Sequence, residues 1–203
     1  MSEFRYLSDA ARISVDTPLS PDELKVLASP ERLIRINPML EIQTLEPDGA
    51  DGLHLVARNL SNGHAIDTAI AVERDGDTVI LRYDAGLKAR TLLQIEAGPT
   101  GGGRLIVTDD YDALPESERA ERAPEVDRSL VPWGHALHGY FRLWRRWSWL
   151  GPWRWYMDRV WLNMTPSGRR IAYMLWAITA FEIAAALLLA AALMGEPPPT
   201  TRA

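Results

Sequence analysis

Residues 171–194, IAYMLWAITAFEIAAALLLAAALM, form an apolar run of 24 with one charge, Glu182. About 20 apolar residues in helix cross a bilayer core. A helix apolar all round is otherwise buried inside a protein much larger than 203 residues. The run therefore predicts a transmembrane helix within 169–195, followed by a disordered tail, 196–203. It lies too far from the first residue for a signal peptide, and no apolar h-region opens the chain.

Charge orients the span. Residues 142–170 hold seven arginines (142, 145, 146, 154, 159, 169, 170) against one acid, Asp158. Beyond the span lie one Glu and one Arg. The positive-inside rule puts the basic side, and with it the N-terminal part, in the cytoplasm. The lack of cysteine offers no disulfide framework.

Six of the eight tryptophans fall within 140–164, among five arginines. Such a mixture suits nucleic acid, a protein interface or a membrane surface. Next to a span it reads as an interfacial neck over 151–168 and the end of the preceding helix. Trp147, Trp149, Trp153 and Trp155 would sit at headgroup level, and Arg145, Arg146 and Arg154 would meet anionic lipid. Trp133 and Trp144 are expected in the soluble core.

Residues 1–141 carry 24 acidic and 14 basic residues, which argues against nucleic-acid binding. Their length suits a domain with its own core, taken as 1–150. RISVDTP (12–18) alternates as a strand. SPDE (20–23) is a capping box for a helix over Pro21–Ala28, and SPER (29–32) opens a second. Six strands follow, near 39–46, 52–61, 64–74, 77–84, 88–96 and 104–112. Asn62-Gly63 and Asp75-Gly76 read as type I′ hairpin turns. They set Leu55 opposite Ile70 and Ile70 opposite Leu81. Further on, Leu81 faces Thr91, Leu93 faces Val107 and Thr91 faces Asp109. One sheet face then has an aliphatic end with Ile70, Leu81, Leu93 and Val107. Its other end is mixed, with Thr68, Tyr83, Thr91, Asp109 and Tyr111. A helix over 130–150 should cover this face through Leu137 and Phe141, with Gly151-Pro152 ending it. Ser129 is its expected cap.

This order, with VDTPLSPDELKVLASPERLIRINPMLE (15–41) as its opening, resembles the START-like, polyketide cyclase-like superfamily. Ile36 departs from the aromatic common there. The resemblance implies an α+β helix-grip fold, a curved antiparallel sheet of about seven strands around a long C-terminal helix. It also implies a cavity for a lipid, quinone or similar molecule, and brings no universal catalytic residues. The face described above suits an amphipathic ligand, so Thr68, Ile70, Leu81, Tyr83, Thr91, Leu93, Val107, Asp109, Tyr111, Leu137 and Phe141 are the candidate binding residues. The same residues would also serve as a packed core.

Other chemistry is thinly supported. His135 and His138 have helical spacing but only Asp109 nearby, so no metal site is assigned. Asp109 and Asp110 point to opposite faces of a strand. GPTGGG (98–103) follows a strand but opens no helix, so it is no phosphate loop. No cofactor and no enzymatic activity are expected, a cyclase-like enzyme being the weakest of three readings. The first reading is a membrane-tethered binding module for a hydrophobic ligand. The second is an accessory or assembly subunit of a membrane complex, in which Glu182 contacts a partner helix, since an acid at bilayer depth is costly.

Overall fold

The computed structural model describes residues 3–7, 10–86, 88–99, 101–111 and 129–195. The charged stretch 115–125 and the tail 196–203 lie outside them. The chain divides into two units, Met1–Asn163 and Met164–Ala203.

The first unit opens with strands β1 (Glu3–Leu7) and β2 (Ala10–Thr17). Helices α1 (Pro21–Leu27) and α2 (Pro30–Ile36) follow. Ser20 and Glu23 close the foreseen capping box, and Ser29 caps α2. The Ser20 backbone and hydroxyl hydrogen bonds hold the Glu23 carboxyl below the usual glutamate range. Strands β3 (Leu40–Pro47), β4 (Gly52–Asn59), β5 (Ala65–Asp75), β6 (Thr78–Tyr83), β7 (Arg90–Ala97) and β8 (Gly103–Asp110) complete the sheet. Its order is β1-β2-β8-β7-β6-β5-β4-β3, every neighbour antiparallel. It has eight strands because β1, unforeseen, pairs along β2.

The register departs from expectation in two hairpins. Val72 pairs with Leu81 and Ile70 with Tyr83, two residues from the expected partners. The turn residues are Gly76 and Asp77, and Gly76 alone has a positive φ, 57°. That is a type II′ arrangement, with glycine at the first central position. In the β4–β5 hairpin, Leu55 faces Thr68 and Leu53 faces Ile70. Here Asn59 and His64 close a wider loop, in which Asn59 Oδ1 accepts from Ser61 N and Asn62 Oδ1 from His64 N. These side chains cap the backbone themselves, so the tight turn is not needed. A shift of two preserves which face each residue occupies.

Helix α3 (Leu130–Trp147) covers the inner face. It lies close on β2 at Gly134, where an added Cβ would meet the Ile13 side chain. Leu137 and Phe141 are fully buried against Val15, Leu81, Leu105 and Val107 in one core. Ser129 takes the N-cap position of α3 without a side-chain cap hydrogen bond; its hydroxyl accepts from Asn37 Nδ2 at 3.1 Å. The helix stops at Trp147, and Gly151 and Pro152 start α4 (Gly151–Arg159), followed by a 3-10 turn, Trp161–Asn163. Met157, Trp161 and Leu162 are buried in the core of the first unit.

The second unit is helix α5 (Pro166–Gly195). Thr165 accepts a hydrogen bond from Gly168 N at its start. Pro166–Ala192 is long and apolar enough to cross a membrane, and its most apolar stretch holds no buried residue.

Candidate functional site

A cavity of about 370 Å³ opens beside the inner face of the sheet. Ile34 of α2, Leu40, Leu55, Ile66 and Trp133 of α3 form its apolar wall. Asn37, Asn59, Thr68, Tyr83, Lys88 and Tyr111 line its polar part. His64, Ala85 and Gly86 on its bordering loops, and Ala65 and Asp67 at the start of β5, also line it. Pockets of about 300–1,000 Å³ with a few polar groups are typical of small-molecule sites.

Each polar side chain is held from behind. The Trp133 indole N–H donates to the carbonyl of Leu33 at 2.8 Å, locking α3 to α2. The Thr68 hydroxyl donates to Asp84 Oδ1 at 2.8 Å and accepts from Ala85 N at 3.2 Å. The Tyr83 hydroxyl lies 3.1 Å from Thr91 Oγ1, which donates to Asp109 Oδ1 at 2.6 Å. Lys88 Nζ lies 2.8 Å from Asp109 Oδ2 and sits over the Tyr83 ring, 5.8 Å from its centroid. Asn59, which lines the cavity, is 3% exposed, and its Oδ1 accepts from Ser61 N at 2.9 Å. The site thus sets polar groups beside an apolar wall.

Of the expected binding residues, Thr68, Tyr83 and Tyr111 line the cavity. Thr91 and Asp109 stand behind Tyr83 and Lys88, both fully buried. Ile70, Leu81, Leu93, Val107, Leu137 and Phe141 do not reach it. They are buried in the core, packed with α3. Ile34, Asn37, Asn59, Ile66, Lys88 and Trp133 were not foreseen as lining. Asn59 carried a signal: an Asn at the end of a strand before a turn is placed to bond backbone. Asp110 faces away and binds Arg90 Nε at 2.7 Å. His138 Nδ1 lies 2.8 Å from the Asp16 carbonyl, and His135 is exposed.

The sequence matches no protein-family model, and no curated protein matches it significantly. Solved structures do. A protein from Rhodobacter sphaeroides aligns with a TM-score of 0.50 at 14% identity, over 69% of this chain and 97% of that one. The fold is the START-like helix-grip. A START superfamily protein from Mycobacterium smegmatis has a TM-score of 0.47 at 17% identity, over 66% of this chain and 97% of its own. A hypothetical protein from Sulfolobus tokodaii gives 0.47 at 15%, over 66% and 96%.

The Trp/Arg stretch at the end of the helix-grip unit separates into two sets. Trp144, Trp153 and Trp161 belong to an aromatic cluster around Tyr140, with ring centroids 5.6–5.8 Å apart. Trp153 is half-buried and packs against the core. Trp149 and Trp155 are 74% and 63% exposed. Trp147 is half-buried beneath the Arg146 guanidinium, 5.2 Å from its ring. Arg145 lies 3.4 Å from Glu23, and Arg154 is exposed. In the second unit, Glu182 is exposed on α5.

Proposed function

We propose that this chain is a membrane-tethered binding module for an amphipathic, largely hydrophobic ligand. The observation that carries the reading is the cavity: an apolar wall of Ile34, Leu40, Leu55, Ile66 and Trp133 beside a compact polar part. The ligand's apolar body buries against that wall, at roughly 25 cal/mol per Å² removed from water. Its head group meets Asn59 and the Tyr83–Lys88 end. Helix α5 supplies the anchor, and the basic stretch before it favours a cytoplasmic helix-grip unit. A tether keeps the cavity close to a membrane-dissolved ligand.

The test uses the full chain in detergent, titrated with a fatty acid carrying a fluorescent reporter. Saturable one-to-one binding, displaced by unlabelled lipid extract, supports the reading. Non-saturable partition equal to that of empty micelles contradicts it.

A second reading, an accessory or assembly subunit, is favoured by Glu182. A carboxyl in the middle of an apolar helix gains nothing for a simple anchor. It could hydrogen-bond across a helix pair whose small residues, Ala180, Ala184, Ala185 and Ala186, permit close approach. Co-purification of wild type and Glu182→Leu in mild detergent separates the readings. A partner present only in the wild type favours the subunit.

A further inference from the structure

A second hollow in the helix-grip unit, about 590 Å³, runs between α1–α2 and α3–α4. Val26 and Trp155, which line it, are 86% and 63% exposed. A valine left that bare has no role in the core: α1 buries Leu24 and Leu27 instead. Arg145 and Arg154 also line the hollow. Its acids are already engaged, Asp158 by Arg32 at 2.9 Å and Glu23 by Arg145 at 3.4 Å. Arg154 has no ion pair among the described residues, and neither do Arg142, Arg146 and Arg159 nearby on α3 and α4. Residues 142–159 carry five arginines and one acid, a net of +4, whereas residues 1–141 carry 14 bases and 24 acids, a net of −10. The positive charge of the unit is thus gathered beside its bare Val and Trp.

We infer that this hollow and its rim, Val26, Trp149, Trp155, Arg145 and Arg154, form a docking surface for an anionic bilayer. The inference rests on the tether proposed above. Seven chain steps separate Arg159 from Pro166, so α4 ends at most about 25 Å from the start of the apolar helix. Arg154 and Arg145 meet lipid phosphates, and Trp155 and Trp149 take the headgroup level, where tryptophan is enriched. Val26 adds an apolar contact from α1, distant in sequence. Contacts from three elements would hold the unit in a fixed orientation rather than let it swing on its tether.

The chain has no cysteine, so single-cysteine variants of the full protein can be labelled with an environment-sensitive fluorophore. The labels go at Val26→Cys, at Arg58→Cys on the outward face of β4, and at Leu188→Cys on α5. The protein is placed in nanodiscs of phosphatidylcholine alone or with phosphatidylglycerol, with spin-labelled lipid as quencher. The expected result is strong quenching at Leu188 in both lipids. Val26 is quenched above the Arg58 level with phosphatidylglycerol, and this excess is lost in high salt and in Arg145→Glu/Arg154→Glu. An unquenched Leu188 overturns the tether and the surface together. A quenched Leu188 with Val26 at the Arg58 level overturns the surface alone. Equal Val26 quenching in both lipids overturns its selectivity for anionic lipid. Protection of Val26 in cell membranes but not in nanodiscs assigns the hollow to a protein and overturns the inference.

Discussion

Lys88 Nζ stands 2.8 Å from Oδ2 of Asp109, whose side chain is 1% exposed. The pair joins the loop before β7 to β8 and closes one end of the cavity. Removing one member of a buried pair leaves an uncompensated charge, which costs about 3–5 kcal/mol when burial is complete. Lys88 is 19% exposed, so a smaller loss applies. Lys88→Met is expected to lower stability by about 2–3 kcal/mol in urea unfolding. Lys88→Met/Asp109→Asn should recover most of it. A single variant as stable as wild type would show that the pair is solvated.

Tyr140 is 2% exposed, and its hydroxyl has no hydrogen-bond partner among the described residues. Burial of the phenol pushes its pKa above the ordinary 10.0. A buried, unpaired polar group costs about 1–3 kcal/mol, so Tyr140→Phe should be neutral or stabilising at pH 7. The pH dependence has a definite sign. Above pH 10 the unfolded chain loses this proton while the folded chain keeps it, so stability falls as pH rises. Chemical unfolding between pH 9 and 11 (roughly the onset of tyrosine ionisation) should show a shallower decline in Tyr140→Phe. A steeper decline would contradict the assignment.

Core and cavity residues should respond differently. Leu81 and Leu93 are 0% and 3% exposed, so Leu81→Arg or Leu93→Arg should unfold the domain. Ile66→Trp, on the inner face and at the cavity wall, should fill the space and keep the fold. Circular dichroism and thermal melting of both variants check this. A folded, unshifted Leu81→Arg would mean that the core is looser than described.

Helix α5 should hold the chain in membranes through a high-salt wash, and Glu182→Leu should insert more strongly. A charged residue at the centre of a spanning helix costs about 2.5–3.5 kcal/mol on insertion scales. A two-segment insertion assay of residues 166–192 measures the change. Release of the wild type by salt alone would make α5 peripheral.

Much of the fold was legible because side-chain alternation sets the faces of each strand. The β6–β7 and β7–β8 registers follow residue by residue: Leu81 meets Thr91, Leu93 meets Val107, and Thr91 meets Asp109. The β4–β5 and β5–β6 hairpins slipped by two. Turn type depends on which residue takes the positive φ, and Asp75-Gly76 leaves that open. Strand β1 was missed because five residues, EFRYL, are too short a run to tell from a loop by alternation alone. The cavity's location was not legible. It depends on how closely α3 approaches the sheet, a distance set by tertiary packing. The aliphatic end was therefore expected to bind, and instead it packs. The split within the Trp stretch, Trp153 and Trp161 inward and Trp149 and Trp155 outward, follows from the break at Ser148–Leu150 and the turn into α4.

Native mass spectrometry of the full chain, released from membranes in mild detergent, tests the central claim most directly. The account predicts a one-to-one adduct with a small amphipathic molecule in the wild type, absent from Ile66→Trp at equal thermal stability. A wild type that carries no adduct from its native membrane, or an adduct retained unchanged by Ile66→Trp, would contradict it.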